Sequence, residues 1–156
     1  IKNFNSRCIG CQLCVSVCPN NVLRPAVTFD SFMKPVMSYE AGFCRPECTS
    51  CSDVCPTGAI VKVTVEQKSS ISIGHAEYNP FACVVNTDAV SCGNCARHCP
   101  TGAITMVKSP DSWSDDLEIP AIDTERCIGC GHCEYVCPAR PQSAIYVEGN
   151  EVHRII

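Results

Sequence analysis

The sequence predicts an α+β chain of short hairpins and short helices gathered around bound metal. Three observations carry this. Sixteen of the 156 residues are cysteine, so sulfur chemistry dominates the fold. Aromatic residues make up only 6%, and large apolar side chains are too sparse for a full core. Chains with thin cores are held together by staples or metals. Finally, β-branched runs alternate with polar stretches, and no segment sustains a 3.6-residue apolar period.

The elements follow in order. One or two helical turns are expected just after each Cys-Pro. "AIVKVTVEQKSSISIGHAEYNP" reads as a hairpin, with apolar runs on both sides of a polar stretch. "AITMV" and "EIPAID" flank "KSPDSWSDDL" in the same way. "AIYVEGNEVHRI" carries a Gly-Asn turn between two apolar runs.

The cysteines fall into four groups. Cys8, Cys11, Cys14 and Cys18 read C-x2-C-x2-C-x3-C-P. Cys44, Cys48, Cys51 and Cys55 read C-x3-C-x2-C-x3-C-P. Cys83, Cys92, Cys95 and Cys99 widen the first gap to C-x8-C, and Cys127, Cys130, Cys133 and Cys137 return to the first pattern. Each fourth cysteine precedes a proline: Pro19, Pro56, Pro100 and Pro138. The outer groups share "RCIGC" and the inner groups share "CPTGAI". The order regular, irregular, irregular, regular suggests one two-motif unit inserted inside another.

This spacing suits a 4Fe–4S cube, which presents four irons at tetrahedral corners. Three cysteines on one tight loop reach three corners, and loop amides turn toward the sulfides. In the bacterial two-cluster pattern the cysteine before proline binds the other cluster. Proline ends the local helical path and supplies no N–H. Gly10, Gly129 and Gly131 allow close backbone approach. Val22, Ile60, Ile104 and Ile145 sit at equivalent places after the motifs and read as apolar cover.

Other uses of the cysteines fit less well. Disulfides gain nothing from three sulfurs crowded on one loop or from the following proline. Zinc favours separated C-x2-C pairs. The C-x3-C-x2-C spacing at Cys44, Cys48 and Cys51 is also that of radical-SAM enzymes, but those need an open iron and a large barrel. Here Cys55 completes the set and the chain is too short for the barrel.

The four motifs, regular at the ends and widened in the third, resemble the polyferredoxins of the NapG/MauM type from Arg7 to about Val147. The second motif departs from that family, with C-x3-C-x2-C in place of C-x2-C-x4-C. The resemblance implies two ferredoxin-like modules carrying four 4Fe–4S clusters, and electrons passing from cube to cube. It also implies nested pairing. Cys8, Cys11 and Cys14 would share a cluster with Cys137, and Cys127, Cys130 and Cys133 one with Cys18. Cys44, Cys48 and Cys51 would take Cys99, and Cys83, Cys92 and Cys95 would take Cys55. The corresponding domains are 1–43 plus 105–156 outside and 44–104 inside, two intertwined two-cluster modules. Pairing of the first motif with the second, and the third with the fourth, is the competing scheme.

Function follows as an expectation: electron relay between redox proteins, with no catalytic residues of its own. The expected partners are a redox-protein donor and acceptor, a membrane quinol-oxidising or flavin-containing subunit being one candidate. The alternatives are the iron–sulfur subunit of a larger oxidoreductase and a redox sensor. The formal net charge of −4 argues against nucleic acid. No apolar run approaches the ~18 residues of a membrane span, and no signal peptide is visible. The chain starts at Ile1, not Met. "CIGCQLCVSVCPNNVLRPA" resembles the soluble tail of bacterial proteins that join a membrane segment to a polyferredoxin. The expectation is a soluble portion attached through a preceding segment or a partner, on the cytoplasmic or periplasmic face.

Several other residues stand out. His98 and His132 lie between cluster cysteines and read as exposed loop residues, because every cluster already has four thiolates. His75 and His153 receive no role. Tyr135 and Phe43 read as cover. Phe32, Met33 and Met37 read as packing over the clusters, with docking as the alternative. The acidic loop with Trp113, Ser109 to Asp116, reads as solvated.

Overall fold

The computed structural model of the chain describes residues 2–109 and 117–156. The α+β class holds: the described elements are short helices and two-stranded sheets. The chain divides into two compact units, Ile1–Ile71 and Ser72–Ile156.

In the first unit, α1 (Lys2–Arg7) leads into the first motif and α2 (Leu13–Ser16) lies inside it. Strands β1 (Leu23–Pro25) and β2 (Pro35–Met37) pair antiparallel, with Leu23 opposite Met37 and Pro25 opposite Pro35. Proline lacks an N–H and suits the ends of such a ribbon. The second motif contains α3 (Ser50–Asp53), and α4 (Val65–Ser69) follows. A reciprocal cap fixes the start of α4: Gln67 N donates to Thr64 Oγ1 (3.3 Å) and Thr64 N to Gln67 Oε1 (3.0 Å).

The second unit is built on β3 (Ile71–Tyr78), whose first residue closes the preceding unit. Then come α5 (Val84–Thr87), α6 (Asn94–Arg97), β4 (Ile104–Lys108), β5 (Glu118–Ile122), α7 (His132–Tyr135) and β6 (Ile145–Ile155). β3 pairs with β6, and β4 with β5. The residues of β3 facing inward are small: Ser72, Gly74 and Ala76. A β-carbon on Gly129 would overlap the Gly74 backbone, so two chains meet there without side chains. The core is correspondingly thin. It consists of Ala76, Val85, Ala103, Ile104, Ala139, Ala144 and Ile145, together with buried cysteines.

The hairpin expected around "KSPDSWSDDL" is the β4–β5 ribbon, running from Ile104 opposite Ile122 to Lys108 opposite Glu118. Residues 110–116 of its loop, Trp113 included, lie outside the described residues. Two other hairpins are corrected. Residues 59–80 form the helix α4 and the strand β3, and the partner of β3 is β6. Gly149 and Asn150 lie inside the continuous strand β6. The Asn150 side chain is committed elsewhere: its Nδ2 donates to Ser72 Oγ (3.2 Å) and its Oδ1 lies 3.1 Å from His75 Nδ1. The single-turn helices precede the Cys-Pro step, where proline ends them. The β1–β2 ribbon is an element that sequence reading did not find.

The domain boundaries are also corrected. The compact units follow one another along the chain, motifs one and two in the first and three and four in the second. The nested division, 1–43 plus 105–156 around 44–104, is not the one observed. Neighbouring motifs meet after short loop closure, which costs less entropy than joining distant ends.

Candidate metal centres

All sixteen cysteines are free thiols. In each motif a one-turn helix carries the third cysteine: Cys14 in α2, Cys51 in α3, Cys95 in α6 and Cys133 in α7. Three of these helices are entered through a left-handed residue, Gly93 (φ 91°), Gly131 (φ 76°) or Gln12 (φ 64°). Glycine adopts that conformation at little cost. Gln12 has a β-carbon, and its side-chain amide is held by the Met33 carbonyl.

The fourth cysteine of every motif accepts a backbone hydrogen bond at sulfur. The donors are Val22 N to Cys18 and Ile60 N to Cys55, both at 3.4 Å. Ala103 N to Cys99 and Ala144 N to Cys137 follow, both at 3.3 Å. Such bonds favour the thiolate form of a ligand. At Cys55, burial works against the thiolate, but the amide and hydroxyl donors around it outweigh burial and lower its pKa.

The second unit has two cavities of the same design. One is lined by Cys127, Cys130 and Cys133 of the fourth motif and by Cys99 of the third. The other is lined by Cys83, Cys92 and Cys95 of the third motif and by Cys137 of the fourth. Each cavity thus takes three cysteines from one motif and the fourth cysteine from its neighbour. Apolar side chains close the walls, Ile104 and Val147 in the first and Val85, Met106 and Ile145 in the second. Ser72, which the sequence did not single out, anchors the fourth motif. Its buried hydroxyl donates to the Cys127 carbonyl (2.8 Å), and Ile73 N donates to the Ile128 carbonyl (3.1 Å).

In the first unit the two motifs also lie together. Burial and then the neighbouring thiols Cys48 and Cys18 raise the pKa of Cys44, against the pull of the Lys68 ammonium. Burial pushes Cys51 up to about 11, with Cys44, Cys48 and Cys14 adding to it. Burial, with Cys11 and Cys8 beside it, raises Cys14. Cys18 therefore lies near Cys44 of the second motif. In the second unit the linings depart from the nested pairing: Cys137 sits with the third motif's cysteines and Cys99 with the fourth's.

A 4Fe–4S cube fits this donor set. Among the described residues, no three His, Cys, Asp or Glu converge as ligands of a single ion. A cube needs thiolates spread around a small apolar cavity, each reaching a different corner, as these do. Buried thiolates crowded this closely also require cationic partners.

The 4Fe–4S dicluster domain family matches residues 7–59, 43–103 and 90–140. The first two matches each span two consecutive motifs, and the third spans the fourth motif and all of the third but Cys83. The methylamine utilization ferredoxin-type protein MauM of Methylophilus methylotrophus is 33% identical over 143 residues, 86% of this chain and 61% of that protein. MauM of Methylorubrum extorquens is 30% identical over 156 residues, 96% of this chain and 69% of that protein. The ferredoxin-type protein NapG of Haemophilus influenzae is 31% identical over 147 residues, 87% of this chain and 51% of that protein. This chain belongs to the NapG/MauM-type ferredoxins. It spans about three fifths of the length of the MauM protein of Methylophilus methylotrophus. NapG/MauM-type ferredoxins are electron-transfer proteins of the 4Fe–4S class, not enzymes.

The remaining residues of this ferredoxin take definite places. Val22, Ile104 and Ile145 are buried beside the motifs, while Ile60 is half-buried. Phe43 is half-buried and Tyr135 is exposed. His98 and His132, from different motifs, meet edge to face with ring centroids 5.3 Å apart. His75 holds Asn150 and Glu77, the latter at 3.2 Å. Phe32, Met33 and Met37 are exposed, at 65%, 40% and 40%, although the Met33 backbone lies against Gly10 of the first motif.

Proposed function

We propose that this chain holds four 4Fe–4S clusters, two in each unit, and relays single electrons between redox proteins. The observation that carries the reading is the pair of cavities in the second unit, each taking three cysteines from one motif and a fourth from the other. By the same exchange, Cys44, Cys48 and Cys51 take Cys18, and Cys8, Cys11 and Cys14 take Cys55. When bound, each cluster gains or loses one electron at a time. The chain's own residues give every corner a thiolate, exclude water with aliphatic walls and aim amides at sulfur. No coordination position is left for a substrate, so transfer is outer-sphere.

In this reading the donor is a quinol-oxidising or flavin-containing subunit at a bacterial membrane. Support comes from the first motif's similarity to soluble tails of membrane-joined polyferredoxins. No helix among the described residues is long and apolar enough to cross a membrane. The same geometry would serve as the iron–sulfur subunit of a larger oxidoreductase, which differs only in its neighbours.

The test is redox cycling of the anaerobically prepared protein. Small outer-sphere reductants and oxidants should cycle all clusters reversibly with no substrate present. Cleavage of S-adenosylmethionine by the reduced protein, abolished in Cys48→Ala, would overturn the carrier reading.

A further inference from the structure

Tyr78 closes strand β3 and lines the cavity formed by Cys83, Cys92, Cys95 and Cys137. Its ring is set firmly. The next residue donates from Asn79 N to the Ala144 carbonyl (2.8 Å), and Asn79 Oδ1 accepts from Phe81 N (3.0 Å). The hydroxyl is fully buried and makes no hydrogen bond. A buried hydroxyl without a partner is costly, and each such group calls for an explanation.

The polar side chains facing it are the Cys83 thiol and the Asn86 amide. Asn86 Nδ2 donates to the Pro80 carbonyl (2.9 Å), and no atom of Asn86 is hydrogen-bonded to the phenol. Sulfur is the acceptor within reach. A phenol is protonated at neutral pH, so the group is a donor. The other cavity of this unit is lined by one side-chain hydroxyl, that of Thr101, 3.6 Å from Cys99 Sγ.

We propose that Tyr78 donates an O–H···S hydrogen bond to the cluster held by Cys83, Cys92, Cys95 and Cys137, and so raises the potential of that cluster. The proposal rests on the cluster reading above. A hydrogen bond to sulfur stabilises the more negative, reduced state, so the potential rises. Tyr78 acts on the cluster as a tuning residue.

The experiment is potentiometric titration with EPR detection, comparing the wild-type protein with Tyr78→Phe, alongside iron and sulfide analysis of both. Tyr78→Phe should keep the full iron content and move one reduction step to lower potential, leaving the others in place. Full iron with all steps unmoved would overturn the proposal. Low iron in the wild type would instead count against the cluster reading. If Tyr78→Phe loses a cluster, site-specific replacement of Tyr78 by a fluorinated tyrosine keeps the ring and strengthens the donor. That protein must show one step moved upward, and an unmoved step there would overturn the proposal.

Discussion

Cys137 faces the cavity of Cys83, although the two belong to different motifs and enter from different ends of the second unit. This exchange makes the two motifs of a unit interdependent. Cys137→Ala should therefore destabilise the third motif's cluster and leave those of the first and second motifs in place. Iron analysis with EPR of the reduced variant checks this. Loss of the first motif's cluster instead would restore the nested pairing.

The Lys68 ammonium on α4 lies near Cys44 and Cys51. A cation there favours the added electron. Lys68→Gln should lower the potential of the cluster built by Cys44, Cys48 and Cys51. A nearby half-exposed charge is worth about 1 kcal/mol, which is on the order of 40 mV for a one-electron step. Voltammetry reads the shift, and Lys68→Arg should retain most of the original value.

Burial pushes the thiols of Cys51 and Cys95 up to about 11. In the cluster-free chain, a raised thiol pKa adds stability that is full below the ordinary thiol range. It is lost as pH rises through about 11. Both groups are protonated near neutrality, so iron must displace their protons. Reconstitution with iron and sulfide should release acid, and its yield should climb between about pH 6.5 and pH 8.5. A yield independent of pH in that range would count against buried ligand thiols.

Gly129 has φ 71°, and a β-carbon there would meet the Gly74 backbone. Gly129→Ala should cost more than about 1 kcal/mol and pull the fourth motif off β3. The expected result is selective loss of the second unit's clusters during thermal or chelator challenge, with the first unit's signals persisting. Gly149→Ala, where no heavy atom lies within 4 Å of the added carbon, is the control.

The cluster loops were legible because their geometry is local: short spacings, left-handed glycines and a proline stop lie within each motif. The β4–β5 ribbon was legible for the same reason, being two adjacent apolar runs. The partner of β3 was not, because β6 comes to it from the far end of the chain. Asn150 looked like a turn residue until its side chain was found on Ser72. The fourth-cysteine rule says that Cys137 leaves its own motif but not where it goes. The shared "RCIGC" and "CPTGAI" suggested a destination, yet they record likeness between motifs, and packing of neighbouring loops decided the pairing. Phe32 and Met33 looked like cover because the sequence cannot show which side of a short ribbon lies against a loop.

Iron and acid-labile sulfide per chain in freshly isolated, anaerobically prepared protein test the central claim most directly. Four clusters require about sixteen of each. A value near that, with little zinc, is the predicted result. Substantial zinc without sulfide, or iron sufficient for only half the motifs in fully folded protein, would contradict it.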